Sequence, residues 1–196
     1  MLARSHRQGL TATGRDPLDA RGDDLYQTPE CATRALLRAE RLPHFILEPA
    51  CGPGAIVRVL RAAGRKVLAS DLVDYGCEGQ LAGVDFLMEW QMPQGIECIC
   101  TNPPFKLATQ FVRHALALNV PVVAMLLRLA FLEGSSRSDI LDGGQLARVW
   151  VFKNRLPRMH RDGWDGNKAS SSIAFAWFVW LRGWGKPPEL HRISWS

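Results

Sequence analysis

Phe45-Ile46-Leu47-Glu48-Pro49-Ala50-Cys51-Gly52-Pro53-Gly54 is an apolar run that stops on an acid and breaks into a glycine-bearing turn. Phe45–Leu47 reads as a buried strand. The residues from about Ala55 to Ala63 read as the next helix, with Gly64 as its C-terminal stop. Lacking Cβ atoms, Gly52 and Gly54 let a backbone turn tightly and approach a ligand closely.

The alternation continues on both sides of this stretch. Upstream, Thr28 reads as a helix N-cap, Pro29 as the first helical position and Glu30 as a first-turn acid, with the helix ending before Pro43. Downstream, Lys66–Ser70 is a strand closing on Asp71, and a short segment begins at Val84 near Asp85-Phe86. Ile96–Cys100 is a strand closing on Thr101-Asn102. A helix is expected over about Leu107 to Leu118, with Phe111, Ala115 and Leu118 inward, and a strong strand over Val120–Leu127. Ser138 to Leu146 is ambiguous, because Gly143-Gly144 interrupts any helix there. Arg148–Phe152 and Ile173–Leu181 are the last two strands. No helical pattern separates them, so they pair as an antiparallel hairpin. Continuously apolar strands alternating with helices argue for an α/β fold with a parallel sheet covered on both faces.

The chain has 196 residues, with 47% hydrophobic and 22% charged residues, as a single globular domain requires. Residues 1–24 are polar and aperiodic and read as a flexible tail, leaving 25–196 as the domain. Five cysteines include no C-x-x-C pair. They read as buried free thiols of a reducing compartment, not as metal ligands, with Cys98 and Cys100 on one strand face. No signal peptide is evident, and Ile173–Leu181, the longest apolar run, is too short to span a bilayer. A soluble cytoplasmic protein is expected. The net charge of +5 leans toward an anionic partner such as nucleic acid.

Ligands of doubly wound sheets bind beyond the C-terminal strand ends, where strand order reverses. Gly52 and Gly54 come just after the first such end. Asp71 lies at the second, placed to accept hydrogen bonds from both hydroxyls of a ribose. The G-P-G turn lacks the third glycine of a dinucleotide fingerprint, which argues against a dehydrogenase. Glu48 is badly placed beside phosphates and well placed for a cationic ammonium group. A nucleoside joined to an amino acid satisfies both ends, and S-adenosylmethionine is such a ligand. Asp85 is placed to accept from an exocyclic adenine amine and Phe86 to flank the base. Ala50 and Leu72 complete the candidate cofactor set.

Asn102-Pro103-Pro104-Phe105 stands at another strand end. Two prolines fix their own φ and push the preceding residue extended, giving a stiff corner that presents an amide and carbonyl oxygens at one point. An exocyclic amine is a poor nucleophile while its lone pair is delocalised. Hydrogen bonds to the Asn102 oxygen and a Pro103 carbonyl favour a pyramidal nitrogen, and Phe105 can stack on the base. The catalytic candidates are therefore Asn102, Pro103, Pro104 and Phe105, with Asn102 also near the cofactor.

Together EPACGPG, Asp71, Asp85-Phe86 and NPPF resemble the class I S-adenosylmethionine-dependent methyltransferases of the amino-methylating type, from about Tyr26 to Trp180. That group includes adenine-N6 methyltransferases of DNA and RNA and glutamine-N5 methyltransferases of protein. The resemblance implies a Rossmann-like, mostly parallel seven-stranded sheet with helices on both faces and a terminal antiparallel hairpin. DLYQTPE resembles the upstream cofactor motif of the adenine enzymes, which implies that Tyr26, Thr28 and Pro29 flank the methionine end of the cofactor. The order of motifs is that of enzymes whose recognition region comes last, yet the stretch after Trp180 is too short for a separate recognition domain.

Two polar segments are candidates for reading a substrate: Glu133–Arg137, and Asn154 to Ser172. The second carries Arg155, Arg158, His160, Arg161 and Lys168 around Trp164, a pattern suited to phosphate contact and base stacking. The leading expectation is methyl transfer to adenine N6 in DNA. RNA adenine, protein glutamine N5 and a catalytically inert binding module on the same fold are the alternatives.

Overall fold

The computed structural model of the chain describes residues 27–157 and 172–196. Helix α1 (Glu30–Ala39) leads into β1 (Phe45–Glu48), α2 (Ala55–Ala62), β2 (Lys66–Asp71) and β3 (Gln80–Ala82). Then come β4 (Cys98–Thr101), α3 (Ala108–Ala117), β5 (Val122–Arg128), the short α4 (Ser138–Leu141), β6 (Leu146–Phe152), β7 (Phe175–Leu181) and β8 (Glu189–Ile193). They form one sheet in the order β3-β2-β1-β4-β5-β7-β6-β8. Every pairing is parallel except those of β7, which runs antiparallel to both β5 and β6.

Among the described residues the sheet therefore has eight strands, not the expected seven. The additional strand is β8, which pairs in parallel with β6 along the sheet edge. Its burial alternates weakly and it carries Glu189, His191 and Arg192, so no apolar run marks it. Charged residues are a common protection of an exposed edge strand. The β6–β7 hairpin pairs as expected. The ambiguous stretch divides into α4 and the start of β6. Thr28 is not the N-cap of α1. Pro29 holds that position without a side-chain cap, and the Pro29 carbonyl accepts from Ala32 N (2.9 Å).

Period-two alternation distributes the strand side chains between two cores. Cys98, Cys100, Ala124, Leu126, Trp177 and Val179 face α1 and α2, where they meet Ala32, Leu36, Ile56 and Leu60. Ile99, Val123, Met125, Leu127, Phe178 and Trp180 face the other way, onto Phe111, Val112 and Ala115 of α3 and Ile140 of α4. Strand β7 lies between β5 and β6, so six of its seven residues are buried.

Two of its tryptophans tie a helix to each face. Trp177 Nε1 donates to the Ala32 carbonyl of α1 (2.9 Å), and Trp180 Nε1 to the Ile140 carbonyl of α4 (2.8 Å). A large ring can be buried this way only because its one polar atom finds an acceptor. Of the five free cysteines four are buried, and Cys98 and Cys100 share a face. No helix among the described residues is long and apolar enough to cross a membrane.

Trp177→Phe keeps most of the ring and loses the bond to Ala32. It should cost about 1–2 kcal/mol, and Trp177→Ala about 3–5 kcal/mol, read from urea midpoints at an unchanged m-value.

Candidate functional site

Strand order reverses at β1, which has β2 on one side and β4 on the other. The crevice above such a point is where an open α/β sheet places its ligand. The β1–β4 register, Ile46 against Cys98 and Leu47 against Ile99, brings Glu48 beside the end of β4. Thr101 Oγ1 donates to Glu48 Oε1. The Ala50 N–H, at the start of the glycine turn, donates to the same oxygen (3.3 Å).

The turn itself is braced from β2. Gly52 N–H donates to Asp71 Oδ2 (2.9 Å), Val73 N–H to Asp71 Oδ1 (3.2 Å), and Cys51 N–H to the Ser70 carbonyl (3.1 Å). Asp71 thus holds the turn in shape while standing at the rim. Gly54 begins α2 at φ +82°, a left-handed conformation that side chains disfavour. A Cβ there would lie 2.6 Å from Cys77 Sγ, so the position needs glycine twice over.

Upstream, Thr28 is 6% exposed and accepts a hydrogen bond from Asn102 Nδ2 (3.0 Å). With Nδ2 committed, Oδ1 is the acceptor end of the Asn102 side chain. Three stretches distant in sequence, Thr28-Pro29, Glu48–Gly54 and Thr101–Phe105, therefore meet at one point of the rim. Thr101 had no place among the sequence-derived candidates. Its signal was the hydroxyl at the end of an apolar strand, directly before NPPF.

Phe105 is half-buried in a single 3-10 turn, Phe105–Leu107, closed by Leu107 N–H to the Pro104 carbonyl (2.9 Å). Its ring lies beside Phe175 at 5.7 Å between centroids. The Arg128 guanidinium sits over the ring, 4.4 Å from its centroid. Neither Arg128 nor Phe175 was singled out in the sequence.

On the other side of β1 the candidates divide. Val84 N–H donates to the Asp71 carbonyl (3.1 Å), which holds Asp85 near Asp71. Asp85 is exposed and caps the 3-10 turn Phe86–Met88 through Leu87 N–H (3.0 Å). Leu72 is 62% exposed. Phe86 is 3% exposed, packed against Phe111 and His114 in the core. Its ring is a packing element in this structure, not a flank for a base. Arg155 is exposed. Tyr26, Arg158, His160, Arg161, Trp164 and Lys168 lie outside the described residues, as does the expected tail.

Glu48 carries the site's unusual electrostatics. Its carboxyl is fully buried, and burial pushes its pKa up to about 8, against the opposing bond from Thr101. Glu48 Oε2 is buried and has no hydrogen-bond partner among the described residues. A buried, under-satisfied carboxylate oxygen is costly unless a donor or a positive charge reaches it. This atom fits the ammonium end of an amino-acid-bearing cofactor.

No family model matches the sequence, and no curated protein sequence matches it. Solved structures do resemble it. A modification subunit from Vibrio vulnificus, ascribed to a type I restriction enzyme, superposes at a TM-score of 0.57 with 15% identity. That match covers 89% of this chain and 48% of the subunit, about half its length. The 23S rRNA methyltransferase ErmE gives 0.54 with 16% identity, over 81% of this chain and 70% of its own. A TehB-like SAM-dependent methyltransferase from Corynebacterium glutamicum gives 0.50 with 15% identity, over 84% and 91%. This is a Rossmann-like methyltransferase fold. At such identities the likeness is one of architecture, and the chemistry rests on the residues at the rim.

Glu48 also makes stability depend on pH. The folded chain keeps its carboxyl proton up to about pH 8, whereas the unfolded chain releases it near the ordinary value of 4.5. Between those limits the folded state binds more protons, so stability falls as pH rises. Glu48→Gln should flatten that decline and raise the pH 8 melting temperature relative to wild type, while leaving the pH 4 value nearly unchanged. Parallel thermal melts across this range check it.

Proposed function

We propose that the chain is an S-adenosylmethionine-dependent methyltransferase acting on an exocyclic amine of a nucleic-acid base, adenine N6 in DNA. The observation that carries this reading is the hydrogen bond from Asn102 to Thr28 beside the Thr101–Glu48 pair. It sets an oriented amide oxygen next to a buried carboxyl at the topological switch point.

Bound S-adenosylmethionine supplies an electrophilic methyl group on a sulfonium. Glu48 Oε2 holds its ammonium group, the Gly52–Gly54 turn admits its backbone, and Asp71 binds its ribose hydroxyls. Asp85 and Leu72 lie where the adenine end would rest. Asn102 Oδ1 and the Pro103 carbonyl accept the two N–H groups of the target amine. As the amine pyramidalises, its lone pair becomes available for attack. The stiff Pro103-Pro104 corner holds both acceptors still, so little reorganisation is needed as charge develops. Phe105 supplies the face on which the base stacks. Holding both reactants in line can lower the barrier by several kcal/mol. The amine proton departs after transfer, so no strong general base is required.

Nucleic acid is favoured as the substrate by the net charge of +5 and by the arginine at Phe105. A base inside a duplex must be unstacked to reach this rim, at a cost of a few kcal/mol. A protein glutamine amide presents the same two N–H groups and is the competing substrate.

Incubation with tritiated cofactor and single-stranded DNA, duplex DNA, RNA or protein extract separates these cases. The expected product is N6-methyladenine, and label appearing only in protein would overturn the nucleic-acid reading. Asn102→Ala should lower the transfer rate by at least about a hundredfold while the cofactor dissociation constant stays within about twofold. Asp71→Ala should instead weaken cofactor binding by about tenfold or more, as measured by calorimetry.

A further inference from the structure

Arg128 is the last residue of β5 and stands exposed on the rim that carries NPPF. Strand β5 is the neighbour of β4, and the β5–β7 register sets Arg128 opposite Phe175. Arg128, Phe105 and Phe175 thus reach one spot from three elements. The guanidinium lies over the Phe105 ring at 4.4 Å from the centroid. Several other exposed arginines have polar partners. Arg113 pairs with Asp139, Arg58 with Glu30 and the Pro53 carbonyl, and Arg182 with the Asn119 carbonyl. Arg128 forms no salt bridge with any described residue.

A guanidinium is planar, delocalised and weakly hydrated, so it stacks on an aromatic face much as a base does. One ring face cannot hold both. We propose that Arg128 is a substrate-positioning residue that covers the stacking face of Phe105 in the free enzyme and yields it to the incoming base. The displaced guanidinium then takes a phosphate of the same strand. This rests on the nucleic-acid methyltransferase reading above. The exchange replaces a solvated cation–π contact with a charge-assisted hydrogen bond to an anion, the stronger contact. It also keeps the apolar ring covered while no base is present. Entry of a base and capture of its backbone become one event, which favours a strand that carries a base to stack.

The test measures binding of a fluorescein-labelled single-stranded DNA oligonucleotide across a salt series, with and without an abasic site in place of its single adenine. An RNA counterpart runs in parallel. Wild type, Arg128→Ala and Arg128→Lys are compared, together with methyl transfer to the intact oligonucleotide. Arg128→Ala should bind the intact strand about tenfold more weakly at low salt. Its plot of log affinity against log salt should be shallower by about 0.7, one phosphate on a single strand. Arg128→Lys keeps the charge and should keep the slope. On the abasic strand nothing displaces the guanidinium, so wild type and Arg128→Ala should give equal slopes.

Equal slopes on the intact strand overturn the proposal, as does weaker binding explained wholly by a lower melting temperature. A slope difference that persists on the abasic strand overturns the displacement by the base. If wild type transfers methyl to the oligonucleotide but Arg128→Ala leaves the slope unaltered, this proposal fails alone. If wild type transfers no methyl to any nucleic acid, the functional reading fails and this one with it.

Discussion

The parallel pairing of β1 with β4 is the constraint on which the rim depends. Parallel neighbours end on the same side of a sheet, so the turns leaving both strands are delivered to one place. One strand delivers Glu48 and the glycine turn, the other Thr101 and NPPF. The Thr101 hydroxyl on Glu48 locks the two ends together, and Asn102 reaches across to Thr28. Neither bond could form if the register slipped by one residue, because each side chain would then point to the opposite face.

At Glu48 the proposed cofactor site and a stable fold pull in different directions. A carboxyl at full burial, with one oxygen unpartnered, costs stability wherever it ionises, and Gln in its place would stay neutral at every pH with little change of shape. The proposed cofactor would bring its ammonium group to that oxygen. The surrounding sheet tolerates the cost because its packing is extensive elsewhere. Both faces are filled, and the tryptophans of β7 clamp α1 and α4 from opposite sides.

Asp71 and Asn102 each have a structural role beside the chemical one proposed for them. Asp71 accepts two backbone N–H groups from the turn and from Val73, so the group proposed to bind ribose also shapes the loop beside it. Asn102 uses its amide nitrogen internally and keeps its oxygen as an acceptor. This division of labour fixes the direction of a side chain that would otherwise rotate, which is what preorganised catalysis requires.

Much of this was legible in the chain itself. Strand-then-turn grammar located Gly52, Gly54, Asp71 and Asn102 at C-terminal strand ends, because apolar runs and φ-restricted residues act locally. The same grammar found the β6–β7 hairpin, whose strands are apolar except for Arg148. Edge strands escaped it: β3 and β8 are short and mostly exposed, and so lack the apolar pattern that marks a buried strand. Phe86 looked like a ligand flank because it sits next to an acid, but the space beside Phe111 and His114 makes it core. Thr28 looked like a helix cap, and only the approach of Asn102, brought round by β4, gives its hydroxyl another partner. Arg128 over Phe105 was invisible for the same reason. Local sequence determined which residues could do chemistry and at which ends of which strands. Strand order and register decided which of them meet, since those depend on contacts between residues far apart along the chain.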